Sequence, residues 1–242
     1  MIVLNSVSKD LGKGRLRKRV LDDINWTIPP RHNFVILGQR GSGKSTLLDI
    51  VAGLAIPTEG WVDRRARVSV PGGLLKFATF DTPRKLIMRM SELYEADPLS
   101  IIEFAIQATQ MQEIIDVPIR RFPGWVRTQL NMALTYAFPC DYYLFDGAID
   151  AGRKSEFRDF CRRAFEMRSK SAATIVVTGS ARTARTIGNN AMGGLLHRGK
   201  LTLYEQVEDA ITVFESLPKP PEPSVLSLLV PETEGPVVED EL

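Results

Sequence analysis

The chain is poor in the residues that build metal and disulfide frameworks. It has two cysteines, Cys140 and Cys161, and two histidines, His32 and His197, in 242 residues. These form neither a disulfide framework nor a metal-ligand spacing, which suits a reducing compartment. Each cysteine reads as filling a core or helix position, and both histidines as structural or surface residues. The chain also lacks an apolar run of the roughly 20 residues that span a bilayer. Its opening Met-Ile-Val-Leu-Asn-Ser is too short, and too soon followed by charge, for a signal peptide. Any membrane role is therefore expected to be peripheral. Charge imbalance is missing too: 31 basic against 29 acidic residues leave +2, so no global case exists for nucleic acid. There are no internal repeats. What remains is an ordinary globular composition, 44% hydrophobic and 25% charged, long enough for one α/β domain with a substantial core. Basic residues gather only at Lys9, Lys13, Arg15, Arg17, Lys18 and Arg19. That cluster reads as a solvated hairpin loop, with acidic lipid headgroups or phosphates as the alternative.

Residues 38 to 46, Gly-Gln-Arg-Gly-Ser-Gly-Lys-Ser-Thr, carry the chemistry. Gly38, Gly43, Lys44 and Ser45 fit the phosphate-loop spacing G-x-x-x-x-G-K-[ST]. Small residues at Gly41, Ser42 and Gly43 let the backbone curl so that successive N–H groups face one concavity around phosphate oxygens. Lys44 supplies a positive charge for the β- and γ-phosphates, and the Ser45 hydroxyl is a Mg²⁺ ligand. The flanks agree: residues 33–37 read as a buried strand, and 44–54 as a helix with its N-terminus toward the anion. The candidate nucleotide-binding set is Gly38, Arg40, Gly41, Ser42, Gly43, Lys44, Ser45 and Thr46.

Around this loop the pattern predicts strands at 2–4 and 20–28, the second with half-buried alternation. A further strand is expected at 61–63 and a short one at 67–70. Residues 84–116 are rich in helix formers, with a helix from about 126 to 138. An apolar strand, Tyr142-Tyr143-Leu144-Phe145, ends at Asp146. A helix at 157–168 and a buried strand at 174–177 follow, then a hairpin around Arg198-Gly199 and a helix at 205–217. From Pro218 onward Pro, Glu and Asp dominate, which reads as a mostly disordered acidic tail interrupted by an apolar patch at 225–230.

This order resembles the ATP-binding subunit of an ABC transporter. Gly43-Lys44-Ser45-Thr46-Leu47-Leu48, then Ala52-Gly53-Leu54 and Pro57-Thr58-Glu59-Gly60, carry the likeness. The branch it looks most like is the ATPases of capsular polysaccharide and O-antigen export. The residues for that are Val68-Ser69-Val70-Pro71-Gly72-Gly73, residues 141–146, Gly199-Lys200-Leu201 and Val207-Glu208-Asp209-Ala210-Ile211. The resemblance implies an α/β fold of the ABC-type P-loop NTPases: a mixed sheet core, an antiparallel β subdomain and a helical subdomain at about 84–138. It covers residues 1–217 and leaves 218–242 as the tail. It implies ATP and Mg²⁺ as cofactors, with Ser45 and Asp146 organising the metal. It also implies a dimer sandwiching two ATP molecules, and peripheral attachment to a membrane subunit on the cytoplasmic face.

Several positions depart from that family. Gly147 stands where the base glutamate follows the Walker B aspartate, and Gly179 where the switch histidine is expected. No glutamine lies between Val70 and Glu103 for the Q-loop. The signature segment reads Phe122-Pro123-Gly124-Trp125, in which Pro123 removes an N–H and Trp125 adds bulk. Arg153 occupies the D-loop aspartate position, and the aromatic that stacks on adenine is replaced near Leu11. A missing general base costs on the order of 10²–10⁴ in rate. Asp150 is a weak candidate substitute carboxylate, and Ser180 or Arg182 weak candidates for touching the γ-phosphate.

The expected function is thus the ATP-binding subunit of a polysaccharide-exporting ABC transporter with impaired or absent hydrolysis, as a homodimer or beside an active ABC ATPase. The alternative is a non-transporting pseudo-ATPase that regulates or scaffolds in a nucleotide-dependent way. A small-molecule phosphoryl-transfer enzyme fits less well, since no acceptor pocket is visible.

Overall fold

The computed structural model describes residues 1–12, 14–71, 80–150 and 155–218. Two sheets and a group of helices share these residues. The first sheet is antiparallel, in the order β2-β1-β4, from β1 (Ile2–Leu11), β2 (Lys18–Ile28) and β4 (Glu59–Arg64). In β2 every second residue from Ile24 to Ile28 turns inward, with Ile24, Trp26 and Ile28 buried. The alternation read from the sequence is that of a strand with one wet face.

The second sheet has the order β5-β6-β3-β7-β8: β3 (Phe34–Leu37), β5 (Tyr142–Asp146), β6 (Ala173–Thr178), β7 (Met192–His197) and β8 (Lys200–Tyr204). Only β8 runs antiparallel to its neighbour. Residues of β3 and β6 are buried throughout, as parallel strands covered on both faces must be. Helices α1 (Lys44–Ala52), α5 (Ser155–Ser171), α6 (Ala181–Ile187) and α7 (Val207–Ser216) accompany this sheet.

The remaining helices are α2 (Pro83–Tyr94), α3 (Pro98–Thr109) and α4 (Gly124–Ala137), which pack a separate apolar cluster that includes Ile87, Ile119, Leu130, Leu134 and Phe138. Both α2 and α3 begin in the same way. The Thr82 and Asp97 side chains accept from Lys85 and Ser100 N–H, and a proline occupies the first turn, where its missing donor costs nothing.

The two sheets are joined by specific contacts. Tyr142 donates its hydroxyl to the Ile28 carbonyl at 2.9 Å, and the Trp26 ring meets Phe34 edge-on at 5.1 Å. Asp22 N–H donates to the Gly199 carbonyl, and the Asp22 carboxylate pairs with Lys200 at 2.8 Å. Arg64, at the end of β4, donates to the carbonyls of Val51 and Ile50. It thereby covers the carbonyl end of α1, where a cation is favoured.

The structure differs from the sequence reading in three places. The 67–70 segment is not a strand but a single bridge, Val68 to Tyr142. Asp141 and Tyr142 N–H both converge on the Arg67 carbonyl, and the Ser69 hydroxyl takes the Leu144 N–H, so no ladder continues. The basic hairpin is solvated as expected, with residues 16–19 exposed, but its strands run further than the 2–4 and 20–28 expected. The strands reach Leu11 and Lys18, and Arg17 and Arg19 both bind Asp10, with Arg19 also on Glu59. Hydrogen bonds from Arg19 and then Arg17 hold the Asp10 carboxyl below its ordinary value. The short helix α6 was not expected; with one buried residue, Ala184, it leaves no apolar period to read. The tail from residue 219, residues 72–79, Lys13 and Arg153 lie outside the described residues.

Tyr142→Phe removes the hydroxyl donor that the Ile28 carbonyl accepts between the sheets. We expect a loss of about 1–3 kcal/mol, read as a lower urea midpoint at unchanged slope.

Candidate functional site

The carboxyl ends of three adjacent strands deliver the candidate residues to one edge of the parallel sheet. Leu37 pairs with Thr178, and Asp146 with Val177. Gly38, the residue after Asp146 and the residue after Thr178 therefore leave the sheet side by side. Backbone bonds fix this: Gly38 N–H donates to Thr178 O at 3.1 Å, and Gly147 N–H to Val177 O at 2.9 Å. Ligands of open α/β sheets bind at such strand ends.

The loop from Gly38 to Gly43 turns tightly onto α1. Ser42 N–H donates to Gln39 O at 3.1 Å. Gly43 caps the helix with φ 97°, a left-handed conformation, and a Cβ there would lie 2.8 Å from the Val20 carbonyl. Only glycine meets both demands. Lys44 Nζ donates to the carbonyls of Gly38 and Gln39, each at 2.8 Å. Burial pulls the Lys44 amine below its ordinary value, and Asp146 partly opposes this. The Ser42 hydroxyl is buried without a partner among the described residues. Arg40 and Gly41 are exposed on the outer turn, and Thr46 lies in the first turn of α1.

Ser45 Oγ donates to Asp146 Oδ2 at 2.6 Å, bringing together residues 101 apart in sequence. This hydroxyl and carboxylate are hard oxygen donors of the kind Mg²⁺ takes, in a set small enough to leave positions for phosphate and water. Among the described residues no group of three or more His, Cys, Asp or Glu converges, so an all-protein metal cage is not on offer. The donor chemistry thus fits Mg²⁺ held jointly with a phosphate-bearing ligand, with the orphaned Ser42 hydroxyl inside the loop as a further polar atom.

Of the altered positions, Gly147 and Gly179 leave the sheet at this edge, while Pro123 and Trp125 belong to the start of α4. Gly147 is exposed, with φ 91°. A Cβ there would touch nothing within 4 Å, so the constraint is the backbone, not space. Gly179 is different: its φ is ordinary, and a Cβ would sit 3.4 Å from the Gly38 carbonyl, in normal contact. Pro123 caps α4 without a side-chain hydrogen bond, and its carbonyl accepts from both Val126 and Arg127. Trp125 is 39% exposed. A cleft of 220 Å³ runs from Thr128 and Asn131 of α4 to Asp146 and Ala148.

The weaker sequence candidates are otherwise employed. Asp150 accepts from Arg162 Nε at 2.9 Å, so its carboxylate is already paired. The Ser180 hydroxyl caps α6 by accepting from Thr183 N–H, and Arg182 is an exposed residue of that helix. Leu11 closes β1 in a half-buried position. One residue of the site was missed in the sequence. Gln39 sits at a variable position of the motif, and its side chain donates to the Pro218 carbonyl at 2.7 Å. No sequence signal marks a contact across so long a separation.

Gly147→Glu forces a side chain into the left-handed region and is expected to cost about 1–2 kcal/mol. Gly179→His, with an ordinary backbone, is expected to cost less than about 0.5 kcal/mol. Chemical denaturation of both variants beside the parent checks the contrast.

Residues 21–123 match the family model described as ABC transporter. The polysialic acid transport ATP-binding protein KpsT of Escherichia coli is 28% identical, over 89% of this chain and 99% of its own length. The capsule polysaccharide export ATP-binding protein CtrD of Neisseria meningitidis serogroup B is also 28% identical, over 90% of this chain and all of its own. Among solved structures, a dimeric ATP-binding cassette in a post-hydrolysis state, bound to ADP and Pi, superposes with a TM-score of 0.70. It is 18% identical and aligned over 86% of this chain and 99% of its own; at that identity the likeness speaks for the fold alone. Residues 21–123 thus match the ABC transporter domain, the chain takes the ATP-binding-cassette fold, and over most of its length it is similar to the ATP-binding proteins of polysialic acid and capsule polysaccharide transport.

Proposed function

We propose that this chain is the ATP-binding subunit of an ABC transporter that exports a capsular or other cell-surface polysaccharide, with hydrolysis at its own site impaired or absent. The observation that carries the reading is the near full-length homology to KpsT and CtrD, together with the meeting of Ser45 and Asp146 beside the phosphate loop. No described helix is long and apolar enough to cross a membrane. The proposed subunit attaches peripherally, on the cytoplasmic face, to a polysaccharide-exporting membrane subunit. It works as a homodimer or beside an active ABC ATPase. The region about 84–138 is the proposed helical subdomain, with α2 part of the surface toward the membrane subunit.

In this reading the backbone of residues 38–46 cradles the ATP phosphates, and Lys44 gives up its carbonyl partners for phosphate oxygens. Ser45 and Asp146 hold Mg²⁺, which supplies charge neutralisation across the phosphates when bound. What the chain does not supply is equally specific. Gly147 offers no side chain to take a proton from water, Gly179 none to meet the γ-phosphate, and Asp150 is committed to Arg162. Binding is retained while cleavage loses its base. This same deficit supports a second reading, a non-transporting pseudo-ATPase that regulates or scaffolds a complex.

Mg-ATP titration of the purified protein, with Lys44→Ala as the blank, is the test. Loss of the ammonium is expected to weaken binding by about tenfold to a hundredfold, and turnover by the parent is expected to be at background. Turnover abolished by Lys44→Ala would show that a substitute base operates. Co-purification with a membrane subunit separates the transporter from the regulator. The Lys44 pKa adds a pH signature. Only the ammonium attracts phosphate, and burial lowers its pKa. Affinity is therefore expected to hold through neutral pH and fall as the pH rises toward the lowered value, earlier than for an unperturbed lysine.

A further inference from the structure

Between the end of α3 and the start of α4 lies a second cleft, of 330 Å³, which shares no residue with the phosphate loop or the end of β5. The chain leaves α3 through Gln110, whose φ of 56° is left-handed, and turns at once into the one-turn helix Gln112–Ile114. Gln110, Gln112 and Glu113 line the cleft from this turn, and Trp125 and Gln129 line it from α4. Four residues apart, Trp125 and Gln129 stand on one face of that helix.

Gln129 is the informative residue. It is only 3% exposed, yet among the described residues nothing donates to its amide or accepts from it. The side-chain atoms that are both unpartnered and sealed from the surface belong to Trp26, Ser42 and Ser91. The Gln129 amide is therefore unpartnered but open to the cleft that it lines. A buried amide in that position calls for a partner from outside the chain.

We propose that this cleft binds a neutral sugar ring, stacked on Trp125 and hydrogen-bonded by Gln129, with Gln110, Gln112 and Glu113 serving the outer hydroxyls. The inference goes beyond the nucleotide-site reading and stands without it. The face of an indole is electron-rich and attracts the C–H groups of a pyranose. Each sugar hydroxyl both donates and accepts, as does each primary amide, so three amides and a carboxylate match a polyol. An organic ammonium suits the Trp125 face and Glu113, but it offers the amide N–H groups no acceptor. An anion meets the Glu113 carboxylate and no basic lining residue. The volume is at the lower end for a small-molecule pocket, room for a short saccharide rather than a large ligand.

Saturation-transfer NMR of the full chain is the test, with the methyl glycosides of glucose, galactose, mannose and N-acetylglucosamine as probes. Adenosine and tetramethylammonium are run beside them, and circular dichroism establishes that each variant is folded. At least one glycoside is expected to bind in the millimolar range, the level that about a dozen heavy atoms support. Trp125→Ala is expected to weaken that binding about tenfold. Gln129→Leu keeps the buried bulk while removing the amide, and is expected to weaken it about threefold to tenfold. No saturation transfer to any glycoside from the folded parent, or binding that neither variant moves, overturns the proposal. Binding of adenosine or tetramethylammonium in place of the glycosides overturns the sugar assignment.

Discussion

The end of β6 governs the geometry of the site. Its last two carbonyls, from Val177 and Thr178, accept the N–H groups of Gly147 and Gly38, the first residues beyond β5 and β3. Two loops from distant parts of the sequence are thereby fixed to one strand, and through it to each other. The 2.6 Å contact between Ser45 and Asp146 depends on that arrangement, because a one-residue slip of β5 would turn Asp146 to the opposite face of the sheet. The all-apolar character of β3 and β6 makes such a slip costly. Site precision is inherited from core packing.

The antiparallel sheet contributes from the other side. The Val20 carbonyl stands against Gly43, and Arg64 covers the carbonyl end of α1. Both ends of the helix that follows the phosphate loop therefore rest on the β1–β2–β4 layer. The ion pairs among Asp10, Arg17, Arg19 and Glu59 lie far out on that layer and are solvent-screened. They organise the hairpin but add little stability in water. The contacts that matter for the site are the backbone and buried ones.

Much of this was legible in the sequence because the signals were local. The phosphate loop declares itself through spacing, and the strands ending at Leu37, Asp146 and Thr178 through short apolar runs bounded by polar or glycine residues. The wealth of helix formers across 84–116 announced the helical region, though not its division into α2 and α3. What stayed hidden was non-local or lacked an apolar period. The 67–70 segment has strand composition, but the Ser69 hydroxyl intercepts the donor that a ladder needs. Helix α6 is too short to carry periodicity. The pairing of Asp150 with Arg162, and of Gln39 with Pro218, arises from how elements meet rather than from what either residue is.

The left-handed turn at Gly147 sets what this position will accept. At φ 91° the backbone is in a conformation that the L-amino acids avoid, and the bond from Gly147 N–H to the Val177 carbonyl holds it there. A Cβ would meet open space, so the barrier to a side chain is torsional and not steric. Any residue introduced here must bear that torsion or turn the peptide against its anchor on β6.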